Sequence, residues 1–298
     1  MATYLFVTFA ITAILGFPIW AVLAASSFIA LTLGSNTPLI VVVQRLFTAV
    51  DSFPILAVPL FMIAGNLMET GGISRRLINF CDSLLGSLTG GLAMVGVLTC
   101  MFFAAISGSG PATVAAIGGI LIPAMEEAGY DKAFAAAVMA VAGAIGVIIP
   151  PSIPMVNFGV VGSVSISTLF AAGFGPGILV GISLMIVCYV TAKKRGYGKA
   201  NATKFSLANV GKKFIEAFWA LLMPVIILGG IYGGIFTPTE AAAVSVVYGF
   251  VVGLVIYREM DIKKIPGLFM SAGKSTAMVM MIIATAASFG RSEERRVG

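Results

Sequence analysis

From Thr3 to Leu33 the chain carries no charged residue, and such a run cannot be the surface of a protein in water. One continuous helix over it would be roughly 46 Å long, whereas the hydrocarbon core of a bilayer is roughly 30 Å thick. Gly16 and Pro18 interrupt the run in its middle, so two short spans joined by a tight turn are predicted. Of the 298 residues 59% are hydrophobic and 10% charged, where soluble domains carry about 25% charge. So few charges cannot cover a water-facing surface, which excludes a soluble enzyme, a nucleic-acid binder and a disordered tail. The chain has no His, which removes His acid–base chemistry and His metal sites. Cys81, Cys100 and Cys188 are scattered, with no CxxC pair, and read as small apolar residues. The predicted class is an all-α polytopic membrane protein lying in the lipid bilayer, with no nucleic-acid partner.

Further apolar segments occupy residues 53–68, 168–192, 214–236, 241–257 and 268–289. Residues 37–52 mix Val41, Leu46 and Phe47 with Gln44, Arg45 and Asp51, the pattern of an interfacial amphipathic helix. Segments 88–106 and 112–125 are separated by Ser107-Gly108-Ser109-Gly110-Pro111, and 133–161 is broken by Pro150, Pro151 and Pro154. The net charge of +6 sits in short clusters between these runs, so it acts as a topology signal. Residues 193–213, with Lys193, Lys194, Arg195, Lys199, Lys204, Lys212 and Lys213, are the strongest cytoplasmic candidate. Arg258, Lys263 and Lys264 close the following pair of spans on the same side. Counting backwards places 126–132 inside, and Arg75 and Arg76 should be inside too. Both hold only if residues 88–125 enter and leave on one face, as a re-entrant helical hairpin with its tip at 107–111. The N-terminus then lies outside.

A weak repeat accompanies this topology. Gly16-Phe17-Pro18 and the spans after it echo Ile235-Phe236-Thr237-Pro238 and its successors, with opposite starting sides. Inverted repeats of this kind mark secondary transporters, whose sites lie at broken helices near the midplane.

Non-helical backbone at membrane depth survives only where protein or a cavity surrounds it. The freed carbonyls and the hydroxyls of Ser107, Ser109 and Thr113 are hard oxygen ligands, suited to Na⁺ rather than to a soft transition metal. The amides that open the helix after Pro111 suit a carboxylate. The second break, Gly146 to Pro154, adds carbonyls a turn before Pro150 and Pro151, which lack N–H groups, and Asn157 adds an amide one turn on. The candidate sodium ligands are therefore Ser107, Gly108, Ser109, Thr113, Gly146, Ile149 and Pro150. The candidate substrate contacts are Gly110, Pro111, Ser152 and Asn157. No metal other than Na⁺, no cofactor and no catalytic residue is expected. The competing reading is that Gly and Ser let helices pack closely and Pro kinks a span; two breaks on one hairpin-plus-span unit favour a site. Thr237-Pro238-Thr239-Glu240 reads as a helix capping box. The remaining acidic residues fall at span ends.

Met62-Ile63-Ala64-Gly65-Asn66-Leu67-Met68, Gly71-Gly72-Ile73-Ser74-Arg75-Arg76, the segments 107–122 and 145–158, and Gly234-Ile235-Phe236-Thr237-Pro238-Thr239-Glu240-Ala241-Ala242-Ala243 resemble the large membrane subunit of TRAP transporters, of the DctM or SiaM type. The resemblance runs from the first span to Gly290. It implies a tripartite ATP-independent periplasmic transporter, not an enzyme, in a bacterial or archaeal inner membrane. Such systems take up organic anions such as C4-dicarboxylates or sialic acid on a Na⁺ gradient. Their partners are a small DctQ-like membrane subunit and a periplasmic DctP-like substrate-binding protein. It further implies an elevator-type fold. Residues 1–82 would be scaffold spans with an amphipathic arm, and 83–192 the moving domain that holds hairpin 88–125 and broken helix 133–161. Residues 193–213 would be a cytoplasmic loop and 214–290 the start of the second repeat.

Family members continue into a second hairpin and a second Pro-Pro break. Residues 291–298, Arg291-Ser292-Glu293-Glu294-Arg295-Arg296-Val297-Gly298, are abruptly charged and look like a non-native tail on a truncated reading frame, the competing reading being a polar C-terminal tail. Half of a pseudo-symmetric site would then be absent. The alternatives are a stand-alone Na⁺-coupled anion symporter, an ABC permease and, more remotely, an intramembrane enzyme. The lack of His excludes a metalloprotease, and no Lys lies close in sequence to Ser107 or Ser109 to act as a base for a serine protease.

Overall fold

A backbone in lipid must satisfy its own hydrogen bonds, and the chain does so as helices throughout: no strand occurs among the described residues. The computed structural model describes residues 2–34, 38, 40–198 and 205–294, without the side chains of 291–294. Thr37, Lys199, Lys204 and residues 295–298 of the sequence reading lie outside the described residues. Two units form, residues 1–56 with 273–298 and residues 57–272.

In the first unit, α1 (Ala2–Ile14) and α2 (Ile19–Gly34) form an antiparallel pair. Gly16 turns the chain with φ 78°, a left-handed value that costs Gly nothing. The expected break at Gly16 and Pro18 is thus where the helix stops. α3 (Ile40–Val50) follows, with Val42 buried and Val43 and Phe47 exposed. A 3₁₀ turn, Phe53–Leu56, leads out of the unit. Helix α14 (Ile265–Glu294) supplies the rest, and its Phe289 packs on Phe6 and Phe9 of α1 at centroid distances of 6.4 and 5.7 Å.

The second unit holds the hairpin. It starts with α4 (Ala57–Thr70) and α5 (Ile73–Leu85). Sequence reasoning passed over α5, yet its apolar stripe is helical: Ile73, Leu77, Phe80 and Cys81 are buried, spaced by four, three and one along one face. It packs against α6 (Gly91–Ser107) and α12 (Leu207–Tyr232), with the Phe80 ring 6.3 Å from Phe102 and 5.9 Å from Phe214. After α6 the chain reverses at Gly108 and Ser109. It returns through α7 (Gly110–Thr113), a π-helical turn at Val114–Gly118 and α8 (Gly119–Glu127). The two feet meet: Gly91, Leu92, Ala124, Ala128 and Tyr130 line one cavity of about 200 Å³. Residues 91–127 therefore fold as a helical hairpin.

α9 (Lys132–Ala144) runs along the hairpin, tightens into a 3₁₀ turn (Ile145–Val147), breaks at a cis Pro150–Pro151 bond, and resumes as α10 (Ile153–Val161). Helix α11 (Ile166–Arg195) packs on α6, and α13 (Pro238–Phe250) lies along α4 and continues as a π-helical turn, Val251–Ile256. Among the described residues, five helical segments are long and apolar enough to cross a membrane: Phe53–Thr70, Ile166–Arg195, Leu207–Tyr232, Pro238–Ile256 and Ile262–Gly290.

Candidate functional site

The tip and the broken helix are built alike. Ser109 caps α7 and Ser152 caps α10, each in extended backbone (φ −132°, ψ 121° and φ −131°, ψ 124°). Each is followed two residues later by Pro, Pro111 and Pro154, inside the first turn. Pro fits there because the amide it lacks has no helical partner in a first turn. Each hydroxyl accepts the amide three residues on, Ala112 N–H or Met155 N–H, both at 3.4 Å. Two helix openings with the same cap thus stand beside each other.

One backbone hydrogen bond joins them, from Ile153 N–H to Gly108 C=O at 3.1 Å. Gly108 has φ 63°, and a Cβ there would stand 2.7 Å from the Pro151 oxygen. Only Gly satisfies both the left-handed conformation and the close approach.

Inside this junction the polar groups are oxygens. Thr113 Oγ1 donates to Ser109 C=O at 2.8 Å and lies 3.2 Å from Ser107 Oγ. The Ser109 N–H reaches Ser107 Oγ at 3.4 Å. Ser107 and Thr113 are 1% and 0% exposed. These oxygens face Gly146: a Cβ on it would lie 2.8 Å from Thr113 Oγ1, 3.0 Å from Ser109 O and 3.1 Å from Gly110 Cα. Gly146, in the 3₁₀ turn after α9, thus keeps open the face on which two neutral oxygens, Thr113 Oγ1 and Ser109 O, converge. No group of three or more His, Cys, Asp or Glu that could hold a metal occurs among the described residues. A cation held here would be held by hydroxyls and carbonyls, a donor set that suits a hard ion of low charge.

The structure brings Ser107, Gly108, Ser109, Gly110, Thr113 and Gly146 together, with Ser152 at the adjoining helix opening. Pro150 is buried in the break, whereas Pro111 is exposed. Ile149 directs its side chain at Gly177 of α11. Asn157, on α10 one turn past Ile153, keeps a buried Oδ1 with no hydrogen-bond partner among the described residues. Sequence reasoning missed Gly143. A Cβ there would collide with the Val114 side chain and lie 3.3 Å from Gly110 O. Gly143 and Gly146 are three apart, on one face of the helix, and that spacing was the available signal.

The DctM pattern, described as "Tripartite ATP-independent periplasmic transporter, DctM component", matches residues 6–292. The isethionate TRAP transporter permease protein DctMQ of Oleidesulfovibrio alaskensis is 48% identical over 286 residues, covering 96% of this chain and 45% of that protein. The C4-dicarboxylate TRAP transporter large permease protein DctM of Pseudomonas aeruginosa is 46% identical over 246 residues, 82% of this chain and 57% of the relative. The sialic acid TRAP transporter permease protein SiaT of Haemophilus influenzae is 41% identical over 248 residues, 83% of this chain and 40% of the relative. The chain spans about half the length of the curated relatives it matches. With the pattern matched across nearly its full length, the chain belongs to the DctM family, the large permeases of TRAP transporters, and is a multi-pass membrane protein.

Proposed function

We propose that the chain is the large membrane subunit of a Na⁺-driven, binding-protein-dependent secondary transporter that imports organic anions across the inner membrane. The observation that carries this is the tip–break junction: two Ser-capped helix openings tied by the Ile153–Gly108 hydrogen bond, with the Thr113 hydroxyl and the Ser109 carbonyl converging on Gly146. On this reading the oxygens around Gly146 hold Na⁺. The positive ends of the helical arm that starts with α7 and of α10 receive a substrate carboxylate. No Lys or Arg lies in either break, so helix ends, hydroxyls and the adjacent ion supply the positive potential. That makes anion binding depend on Na⁺, which is the coupling a symporter needs. The substrate class follows the relatives' names: C4-dicarboxylate, sialic acid, isethionate or a similar anion. The partners would be a DctQ-like small subunit and a DctP-like binding protein, with residues 193–213 and the hairpin feet facing the cytoplasm.

The experiment is thermal unfolding of the chain in lipid nanodiscs, titrated with NaCl against choline chloride at constant ionic strength. Na⁺ is expected to raise the Tm, because a ligand that binds only the folded state stabilises it. Thr113→Ala, which removes the hydroxyl that faces Gly146, is expected to raise the half-saturating Na⁺ concentration about tenfold, the loss of one oxygen ligand worth about 1.4 kcal/mol. Equal curves for Na⁺ and choline in the unsubstituted chain would sink the sodium site.

A further inference from the structure

The segment Met62 to Met68, one of those that carry the family resemblance, touches neither helix break in sequence and has no part in the proposed chemistry so far. Its geometry gives it one. Gly65 of α4 faces the end of α6: a Cβ on it would stand 3.3 Å from both Ser107 Cα and Ser107 Cβ, and 3.6 Å from Ser107 O. The α4 backbone therefore rests directly on the residue whose hydroxyl enters the oxygen cluster. Its neighbour Asn66 donates from Nδ2 to Leu268 C=O of α14 at 3.4 Å. One turn of α4 thus touches the hairpin tip with one residue and the start of α14 with the next.

We propose that Gly65 is a positioning residue for the candidate sodium site: it is the seat that sets the depth of Ser107, while Asn66 fixes α4 against α14. This rests on the sodium-site reading above. Ser107 cannot yield to a methyl group at position 65 without cost, because the tip is confined on its other sides. Its Oγ is engaged with Thr113 Oγ1 and Ser109 N–H. Gly108, the next residue, is held by Ile153 N–H and approached by Pro151 O. A displacement of a few tenths of an ångström at Ser107 is therefore passed to the distances between the oxygens rather than absorbed by slack. α4 also has little freedom to retreat, since Leu67 and Met68 pack on Gly249 of α13 and Gly71 lies against Gly253.

The test is Gly65→Ala in nanodiscs, with Gly211→Ala as the control because a Cβ at 211 meets nothing within 4 Å. Two readouts are taken. In the Na⁺ titration of Tm, Gly65→Ala is expected to raise the half-saturating concentration about fivefold, the overpacking of one methyl group. Gly65→Ala is expected to lower the sodium-free Tm as well, by the cost of that overpacking, and Gly211→Ala should change neither. The second readout needs no sodium. A cysteine is introduced at Ser109 (S109C), with the three native cysteines replaced by Ala, and its rate of labelling by a maleimide is measured with and without G65A. The seat predicts a changed rate, about threefold or more for a tip displaced from its packed position. An unchanged labelling rate overturns the seat. So does an unchanged half-saturating Na⁺ concentration while Thr113→Ala shifts it. If the unsubstituted chain shows no Na⁺ response and the labelling rate still changes, the sodium reading fails and the seat stands as a determinant of tip position alone.

Discussion

At Gly108 two requirements meet in one residue. A side chain there would pay for the left-handed φ of 63° and would also drive its Cβ to 2.7 Å from Pro151 O. Left-handed backbone costs an L-residue about 1–2 kcal/mol, and overpacking adds about 1–3 kcal/mol. Gly108→Ala is therefore expected to lower stability by about 2–4 kcal/mol and to remove the Na⁺-dependent rise in Tm. Chemical or thermal unfolding in nanodiscs checks the first, the salt titration the second; a variant as stable as the parent would show that the tip has room to adjust. Asp82, outside the spans near the hairpin feet, poses a different problem. Half-burial pushes its carboxyl above the ordinary carboxylate value, because the charged form loses water. The folded state then binds a proton more tightly than the unfolded state. Stability falls as pH rises from the unfolded value toward the folded one, and the loss is complete above it. Asp82→Asn is expected to raise the Tm near pH ~7 and to lose that advantage near pH ~2, well below the ordinary carboxylate value, where both states are protonated. A Tm difference independent of pH would assign the effect to packing or hydrogen bonding instead.

At the scale of elements, what was legible in the sequence was whatever is set within a few residues. Thr237-Pro238-Thr239-Glu240 forms the capping box that its spacing announces: Thr237 N–H reaches Glu240 Oε2 at 2.8 Å and Glu240 N–H reaches Thr237 Oγ1 at 3.3 Å. Thr237→Ala is expected to cost α13 about 1 kcal/mol, read as a lower Tm, and Thr237→Ser to restore most of it. A Thr237→Ala variant with unchanged stability would place the start of α13 under tertiary control. The breaks at residues 107–111 and 150–154 were legible for the same local reason, since Ser, Gly and Pro act on their own turn. Helix α5 was passed over because Arg75, Arg76 and Asp82 interrupt the apolar count, although its buried positions keep a helical period. The π-helical turn at Val114–Gly118 had no visible signal, and neither did the Ile153–Gly108 bond or the Gly65–Ser107 contact. Those depend on which helix lies against which, information that periodicity in one segment does not contain.

Over the whole molecule, the same limit decides how distant parts of the chain are held. Arg76, read from sequence only as a topology charge, closes a contact with residues 257–259. Its Nη2 lies 2.7 Å from Glu259 Oε1, and its guanidinium stacks 3.8 Å from the centre of the Tyr257 ring. Its Nη1 donates to Gly72 C=O at 3.0 Å. Tyr257 in turn donates from its hydroxyl to Glu216 C=O of α12 at 3.1 Å. The turn between α4 and α5, the end of the α13 segment and the start of α12 thus share one guanidinium. Arg75, next to it, is exposed. The Glu259 side chain is 45% exposed, so the ion pair alone contributes at most about 1 kcal/mol. The cation–π contact adds about 0.5–1 kcal/mol. Arg76→Ala is expected to destabilise by about 1–2 kcal/mol, and Arg75→Ala by less than ~0.5 kcal/mol. Arg76→Lys should recover little, because an ammonium cannot stack flat on Tyr257 while reaching both Glu259 and Gly72. Raising the salt concentration separates the parts: the ion-pair share is screened and the stacking share persists. A double-mutant cycle of Arg76→Ala with Tyr257→Leu measures that remainder. A coupling energy near zero in high salt would leave Arg76 as an ordinary surface ion pair and give the joining of these segments to apolar packing alone.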